Sequence, residues 1–510
     1  MDPKILASWL LVTGYAAAIL ALVVRGARRN RSVADYAVGS IAFSPVAVGL
    51  ALAASTTSAA TFIINPGLVA YFGVSAVVGL CVVLPITMGV SLVVLTKGFR
   101  KYGGAVKALT LSQWVGRRFD SRGFAIFFAF LSLLLVTFIV MILVGLTRVV
   151  AASLAVDEVT VLAVVVAFSF GYMMFGGANS MVYTNTIQAL IMVVVAVILL
   201  GSGAEHWAGG WSGLVDRLAA VDPHLATLYN PASPLFRDGF EVIFCTAVVG
   251  IAIACQPHII TKSLLLRDER QVNRYLAAGI AVQVLFFLVV IAGLYARLEF
   301  PALEVGGRAI VPDAVIPTYL VTEFGWPVGV VVFLGLIAAG MSTLEGLIQS
   351  LSITLTNDLV ANLHQAATGR ELSDRFRFVL NRAVIALLAV VSFGLAWWQL
   401  VAPDLSVILF AQLGVYAYFA AAFVPVLLGT FRSDAPLAAV AAASVTALVV
   451  HFGLYYSGHL WFPYYQDVAV KNPGISTALG IVAAAVVGGV LYLGLRERGR
   501  RRLRREAVAG

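Results

Sequence analysis

Two adjacent hydroxyls, Ser342 and Thr343, stand near the middle of an apolar run over about 327–355. At 1.5 Å rise per residue they fall close to the midplane of a bilayer spanned by that run. With the carbonyl of Ala339, one turn back, they can face one cavity. A cluster of neutral oxygens suits a hard monovalent cation, which needs several oxygen dipoles but no full negative charge to replace its water. Ser and Thr also bond back to carbonyls three or four residues earlier, so the pair alone does not decide. A second concentration is Ser55, Thr56, Thr57, Ser58 and Thr61, preceded by ALAA and followed by Asn65-Pro66-Gly67. So many hydroxyls exceed what a packing seam needs, and they predict an interrupted helix with the carbonyls of Ala54 and Thr57 freed to bind an ion. A third signal is Gly250 followed by Gln256-Pro257-His258. Its proline removes one helical hydrogen bond and frees a carbonyl, which predicts a second discontinuous helix.

Charged and amide groups inside apolar runs are few enough to name. Glu345 lies two residues after Thr343, and a carboxylate at membrane depth is functional by default. At 100° per residue it points toward the cytoplasmic end of the cavity that Ser342 faces, where an ionised acid attracts a departing cation. Arg148 is the one basic residue in the run 124–153. It could attract an anion, although snorkelling to the outer interface is the competing role. Gln256 and Gln412 are cavity polar groups or plain interhelical hydrogen bonds. The six histidines are scattered without ligand spacing, and no acid, base and metal set converges, so an enzyme is not expected.

The elements that must position these groups follow from composition. A chain of 510 residues with 61% hydrophobic and 12% charged residues lies far outside soluble globular composition and reads as an all-α polytopic membrane protein. Runs long enough to span fall at about 5–24, 42–70, 74–96, 124–153, 159–176, 186–203, 238–260, 276–296, 320–355, 381–401, 405–429, 436–456 and 475–495, which predicts thirteen transmembrane helices. The net charge of +9 comes from basic residues in short connecting segments, the orientation signal of membrane proteins, so nucleic acid is not an expected partner. With the N-terminus outside and the C-terminus inside, 27 of the 34 Lys and Arg fall on the cytoplasmic face. The first run is followed, not preceded, by its arginines, so it stays as a helix rather than a cleaved signal. Segment 104–122 has helical spacing at Val106, Leu109, Leu111 and Trp114 and could lie along the interface. The tail, RERGRRRLRRE, is expected against anionic lipid headgroups of the inner (plasma) membrane. Cys81, Cys245 and Cys255 lie in apolar runs and imply no disulfide framework. The oligomeric state is left open.

Two interrupted helices five spans apart, in corresponding places of two five-helix units, point to an inverted-repeat transporter with its sites at the midplane. From Asp35-Tyr36-Ala37-Val38-Gly39 onward, the chain resembles the sodium/solute symporter family over about residues 34–430. Further landmarks are Ser55 to Gly67, Thr110-Leu111-Ser112-Gln113-Trp114 with Arg117-Arg118-Phe119, and Phe175-Gly176-Gly177-Ala178. They continue through Thr184-Asn185-Thr186-Ile187-Gln188, Gln256-Pro257-His258 with Lys262, Met341-Ser342-Thr343 and Asn357-Asp358. The resemblance implies a leucine-transporter-type five-plus-five core of helices 2–11. It implies a Na+ ion held by the carbonyls of Ala54, Thr57 and Ala339 and the hydroxyls of Ser342 and Thr343. The domain expectation is then 1–33 as an extra helix and basic loop, 34–430 as the transport core, 431–495 as two further helices and 496–510 as the basic tail. Asn185 stands where many relatives have an aspartate, which puts a second sodium site and a charged ion exit there in question.

For the solute, a sugar would want several amide and charged side chains, and the run 74–96 holds no Asn, Gln, Glu or Lys. A small carboxylate would want hydroxyls, backbone N–H groups at a half-helix N-terminus and one cation, and Ser55, Thr56, Ser58 and Thr61 offer the hydroxyls. The Gln-Pro-His motif resembles branches carrying amino acids, monocarboxylates and pantothenate. The expectation is a sodium symporter importing a small monocarboxylate by alternating access, with a proline-like amino acid or pantothenate as alternatives. A transporter-like sensor is the reading of another class, and the absence of an output domain argues against it.

Overall fold

Apolar runs of 20 residues and more satisfy their own backbone hydrogen bonds as helices, and the chain is built of them. A computed structural model describes residues 3–28, 32–40, 42–402, 406–466, 468 and 470–509, with backbone only for 3, 4 and 498–509. Arg29, Arg31 and the tail side chains from 498 on, with the expected lipid contact of that tail, lie outside the described residues. The helices are α1 Ile5–Ala27, the bent pair α2a Pro45–Thr56 and α2b Ala60–Phe72, α3 Val74–Ala105 and α4 Arg122–Leu154. Next come α5 Glu158–Met173, α6 Ala178–Gly201, the bent pair α7a Phe240–Ile253 and α7b Pro257–Leu265, and α8 Glu269–Glu299. The last are α9 Trp326–Thr368, α10 Asp374–Val401, α11 Val407–Phe431, α12 Leu437–Leu460 and α13 Pro473–Glu497.

Among the described residues ten helices are long and apolar enough to cross a membrane, and up to twelve if each bent pair is one span. α5, with 16 residues, is a shorter apolar helix. The two bends are nearly equal, 54° in α2 and 56° in α7. They fall where the hydroxyl cluster and the Gln-Pro-His motif stand, and Pro257 opens α7b at its first position, where its missing N–H costs nothing.

α9 is the axis of the molecule. It packs on α1, α2a, α4, α5, α6 and α10, and 78% of its apolar window is buried. Two glycines allow this. A Cβ on Gly335 would lie 2.3 Å from Val195 on α6, and one on Gly340 would lie 2.5 Å from Leu146 on α4. Small residues let membrane helices approach closely. The run expected from 320 to 355 divides instead: Val315–Glu323 is a separate helix, and Gly325 and Pro327 restart the chain as α9. Its far end continues through the wide turn Thr354–Val360 to Thr368.

Segment 104–122, expected to present its apolar spacing to the interface, turns that face onto the protein. It forms a helix, Leu111–Arg118, whose Trp114 is fully buried, stacks on Phe99 at 4.9 Å and donates from Nε1 to the Phe99 carbonyl at 3.0 Å. α1 packs on α6 and α9, and α12 and α13 pack on α11 and on each other. The three cysteines are free and buried.

Candidate functional site

The break in α2 is the centre of the site. α2a ends at Thr56, Thr57 is extended (φ −115°, ψ 94°), and the chain resumes with Ser58 as a local cap, its Oγ accepting from the Ala60 N–H at 3.1 Å. Without a following turn, the carbonyls of Ala54 and Ser55 accept from α9 side chains. Ser342 Oγ donates to Ala54 at 2.8 Å and stands 3.0 Å from the Ala339 carbonyl. Thr343 Oγ1 is 3.3 Å from the Ala54 carbonyl and 3.5 Å from that of Ser55. All these residues are buried. Five oxygens from two helices thus share two hydroxyl protons, and a cation among them would take the place of those protons at the carbonyls. Of the expected ion ligands, Ala54, Ala339, Ser342 and Thr343 are brought together. Thr57 lies in the break, where its hydroxyl donates to the Ala53 carbonyl at 2.6 Å.

Asn185 of α6 borders this cluster as a donor. Its Nδ2 reaches Ser55 Oγ at 3.2 Å and the Ser342 carbonyl at 3.3 Å, and Ser55 Oγ also contacts that carbonyl at 3.4 Å. The Asn185 Oδ1 is buried with no hydrogen-bond partner among the described residues. An aspartate here would present only acceptors, whereas this amide uses its NH₂ to bridge α2a and α9.

Glu345 is placed differently from the expectation of a cavity-facing acid. Its carboxylate is clamped by three donors, Thr184 Oγ1 at 2.5 Å, Tyr172 OH at 2.7 Å and Gln188 Nε2 at 3.0 Å, and Gln188 also bonds Tyr15 of α1 at 2.9 Å. The carboxylate faces α5 and α6, and the cavity toward the basic face is lined by its neighbour Gly346 instead. The helical phase at 100° per residue holds, but α6 stands on the side of α9 that Glu345 faces.

The solute candidates do not converge on one cavity. Thr56 Oγ1 donates to the Ala53 carbonyl at 3.0 Å, the local bond that competes with any ligand, and Ser58 caps its own turn. Thr61 is buried in α2b. Gln256 is buried at the α7 break with its Oε1 unpartnered among the described residues. Gln412 lines a separate cavity with Tyr416, Glu241 and Asn472.

Arg148 is paired: its Nη1 is 3.1 Å from Asp313 Oδ2 in the segment before Val315–Glu323. Burial pushes the Asp313 carboxyl above the ordinary range, and the Arg148 guanidinium pulls part of that back. On the opposite, basic face the landmarks Thr110, Gln113 and Asp358 meet. Thr110 Oγ1 donates to Asp358 Oδ2 at 2.5 Å and Gln113 Nε2 to Asp358 Oδ1 at 2.8 Å, which ties the helix Leu111–Arg118 to the end of α9. Gln349 donates to the carbonyls of Tyr36 at 2.7 Å and Ala37 at 3.1 Å and holds the short helix Val33–Val38 beside them. Sequence reading missed Tyr15, Tyr172 and Asp313. Asp313 was findable as a carboxylate for the lone Arg148, whereas the tyrosines carry no mark that separates them from packing residues.

A family model described as the sodium:solute symporter family matches residues 36–434. The chain is 28% identical to the sodium/pantothenate symporter of Escherichia coli (strain K12) over 449 residues, 84% of this chain and 86% of that protein. It is 24% identical to the high-affinity proline transporter PutP of Bacillus subtilis (strain 168) over 385 residues, 72% and 76% of the two chains. The fold is that of a solved Na+-coupled sialic acid symporter, in a substrate-bound outward-open state described as revealing a novel Na+ site. Its TM-score is 0.75 at 17% identity, covering 95% of this chain and 97% of that one. The two equal bends, the oxygen cluster between α2 and α9 and a match over most of its length make this chain a multi-pass membrane transporter of the sodium:solute symporter family.

Proposed function

We propose that this sodium-coupled symporter imports a small monocarboxylate by alternating access, with thirteen spans, α5 included, the N-terminus outside and the C-terminus inside. The observation that carries the coupling is the oxygen cluster of Ala54, Ala339, Ser342 and Thr343. We assign the sodium ion there, with the Thr57 carbonyl as the fifth ligand and residues 34–430 as the transport core. Neutral oxygens replace hydration without trapping the ion, as conduction through a midplane site requires. Hydroxyls and half-helix ends at the breaks, rather than amide-rich side chains, support a carboxylate over a sugar. Pantothenate, named for the Escherichia coli relative, is an alternative solute. A proline-like amino acid is the second reading, favoured by the Bacillus subtilis relative.

Glu345 acts on the ion through its field, one turn inward of Ser342, rather than as a ligand. Uptake of labelled lactate, pantothenate and L-proline into proteoliposomes, with and without an inward sodium gradient, tests the reading. Sodium-driven accumulation of lactate is expected, and accumulation of pantothenate alone selects the pantothenate alternative. Accumulation of L-proline alone selects the second reading, and accumulation of none of the three rejects them all.

A further inference from the structure

One constellation is not used by the ion cluster or by the solute candidates above. A small cavity on the basic face is lined by Ala37, His258, Lys262, Gly346, Gln349 and Ser350, among others. Lys262 and His258, one turn apart on α7b, are each only 3% exposed. Neither the Lys262 Nζ nor either ring nitrogen of His258 has a hydrogen-bond partner among the described residues. An ammonium taken out of water costs several kcal/mol unless it is paired, so a buried, unpaired one that lines a cavity is poised for an anion. The carboxylate next to the cavity wall is Glu345, the residue before Gly346. That group's oxygens are already held by Tyr172, Thr184 and Gln188, so it leaves the Lys262 donors free.

The cavity ends beside the ion cluster at Gly346. A Cβ on Gly346 would lie 3.6 Å from Ser55 Oγ and 3.6 Å from His258 Cβ, so the bare glycine is the gap between the two. Ser55 in turn touches the Ser342 carbonyl. A group leaving the break in α2 toward the basic face therefore meets His258 first and Lys262 one turn further on.

We propose that Lys262, with His258 beside it, is a second carboxylate-binding site, where the solute's anionic end is held on the basic face of the membrane after leaving the ion cluster. The compact ammonium supplies charge and three donors, and one imidazole N–H supplies directional selection for an oxygen. The Ser350 hydroxyl completes a polar wall. The site favours small monoanions over neutral solutes, because the ammonium gains a partner only from them. This rests on the reading of the solute as a carboxylate.

The test uses the full chain in proteoliposomes, with pantothenate, lactate and L-proline as probes and the half-saturating concentration measured separately from each face, by uptake and by counterflow. For whichever of these the wild type carries, Lys262→Met is expected to raise the half-saturating concentration on the basic face about tenfold or more. The opposite face should stay within about twofold, and Lys262→Arg, which keeps the charge, should stay near wild type on both faces. An unchanged basic face in Lys262→Met, or an equal rise on both faces, overturns the site while leaving wild-type carboxylate transport intact. A wild type that carries none of the three fails the functional reading itself and takes this site with it. Because Lys262→Met removes an unpaired buried charge, its thermal midpoint should not fall. A Lys262→Met chain that fails to assemble while Lys262→Arg assembles would assign the charge to the fold and also overturn the proposal.

Discussion

Ser342 Oγ donates to the carbonyl oxygen of Ala54 at 2.8 Å, across 288 residues of chain. That contact joins the unbroken middle of α9 to the broken helix α2, and the same hydroxyl stands beside the Ala339 carbonyl. Replacing Ser342 or Thr343 with Ala removes one of few oxygens. The sodium concentration for half-maximal uptake should rise about tenfold, since a lost ligand worth about 1.4 kcal/mol is a factor of ten. Sodium titration of uptake in the two variants checks this, and unchanged dependence in both removes the site.

Asn185 bonds Ser55 and the Ser342 carbonyl through its NH₂ and brings no negative charge. One sodium per solute is the expected stoichiometry, so that uptake of a monoanion moves no net charge. The sodium Hill coefficient should be near one, and an inside-negative potential should leave the rate of monoanion uptake unaltered. A coefficient near two contradicts it.

Glu345→Gln replaces one acceptor oxygen by an NH₂ facing the hydroxyls of Tyr172 and Thr184 and the Gln188 amide. One donor is then left buried against another, a cost of about 1–3 kcal/mol. The variant should melt earlier and, per folded molecule, turn over more slowly while binding sodium from outside as before. Thermal denaturation alongside turnover normalised to folded protein reads both. Wild-type turnover in the folded fraction would leave Glu345 a purely structural acid.

Asp313 carries a pH signature. Burial raises its folded-state pKa above the unfolded value of about 3.9, with Arg148 opposing. Its contribution to stability is therefore full below that unfolded value and is lost as pH rises through the raised folded value. Compared with Asp313→Asn, which cannot titrate, the wild type should lose thermal stability across that window and run parallel to the variant above and below it. A gain in the same window would mean that the ion pair more than repays burial.

Much of the transport architecture was legible because it is written in composition. The hydroxyls of Ser55 to Thr61 and the Gln-Pro-His motif marked both breaks, since each element removes or competes for helical hydrogen bonds in a medium that offers no replacements. Ser342 and Thr343 were legible for the same reason. The fate of Glu345 and Arg148 was not. Helical phase places a side chain on a face, but which helix stands against that face depends on packing between segments more than 150 residues apart. Trp114 likewise had the spacing of an interfacial helix and was instead claimed by Phe99.

The long reach from Ala54 to Ser342 also has a meaning for how the protein is made. Ribosomes add about 5–20 residues per second, so the hydroxyl-rich break of α2 emerges on the order of ten seconds to a minute before α9 exists. During that interval Asn185, only 130 residues downstream of Ser55, is the first side chain of another helix to arrive that hydrogen-bonds the break. The amide that brings no charge to the oxygen cluster can thus bridge α6 to the break before the hydroxyls of α9 are made.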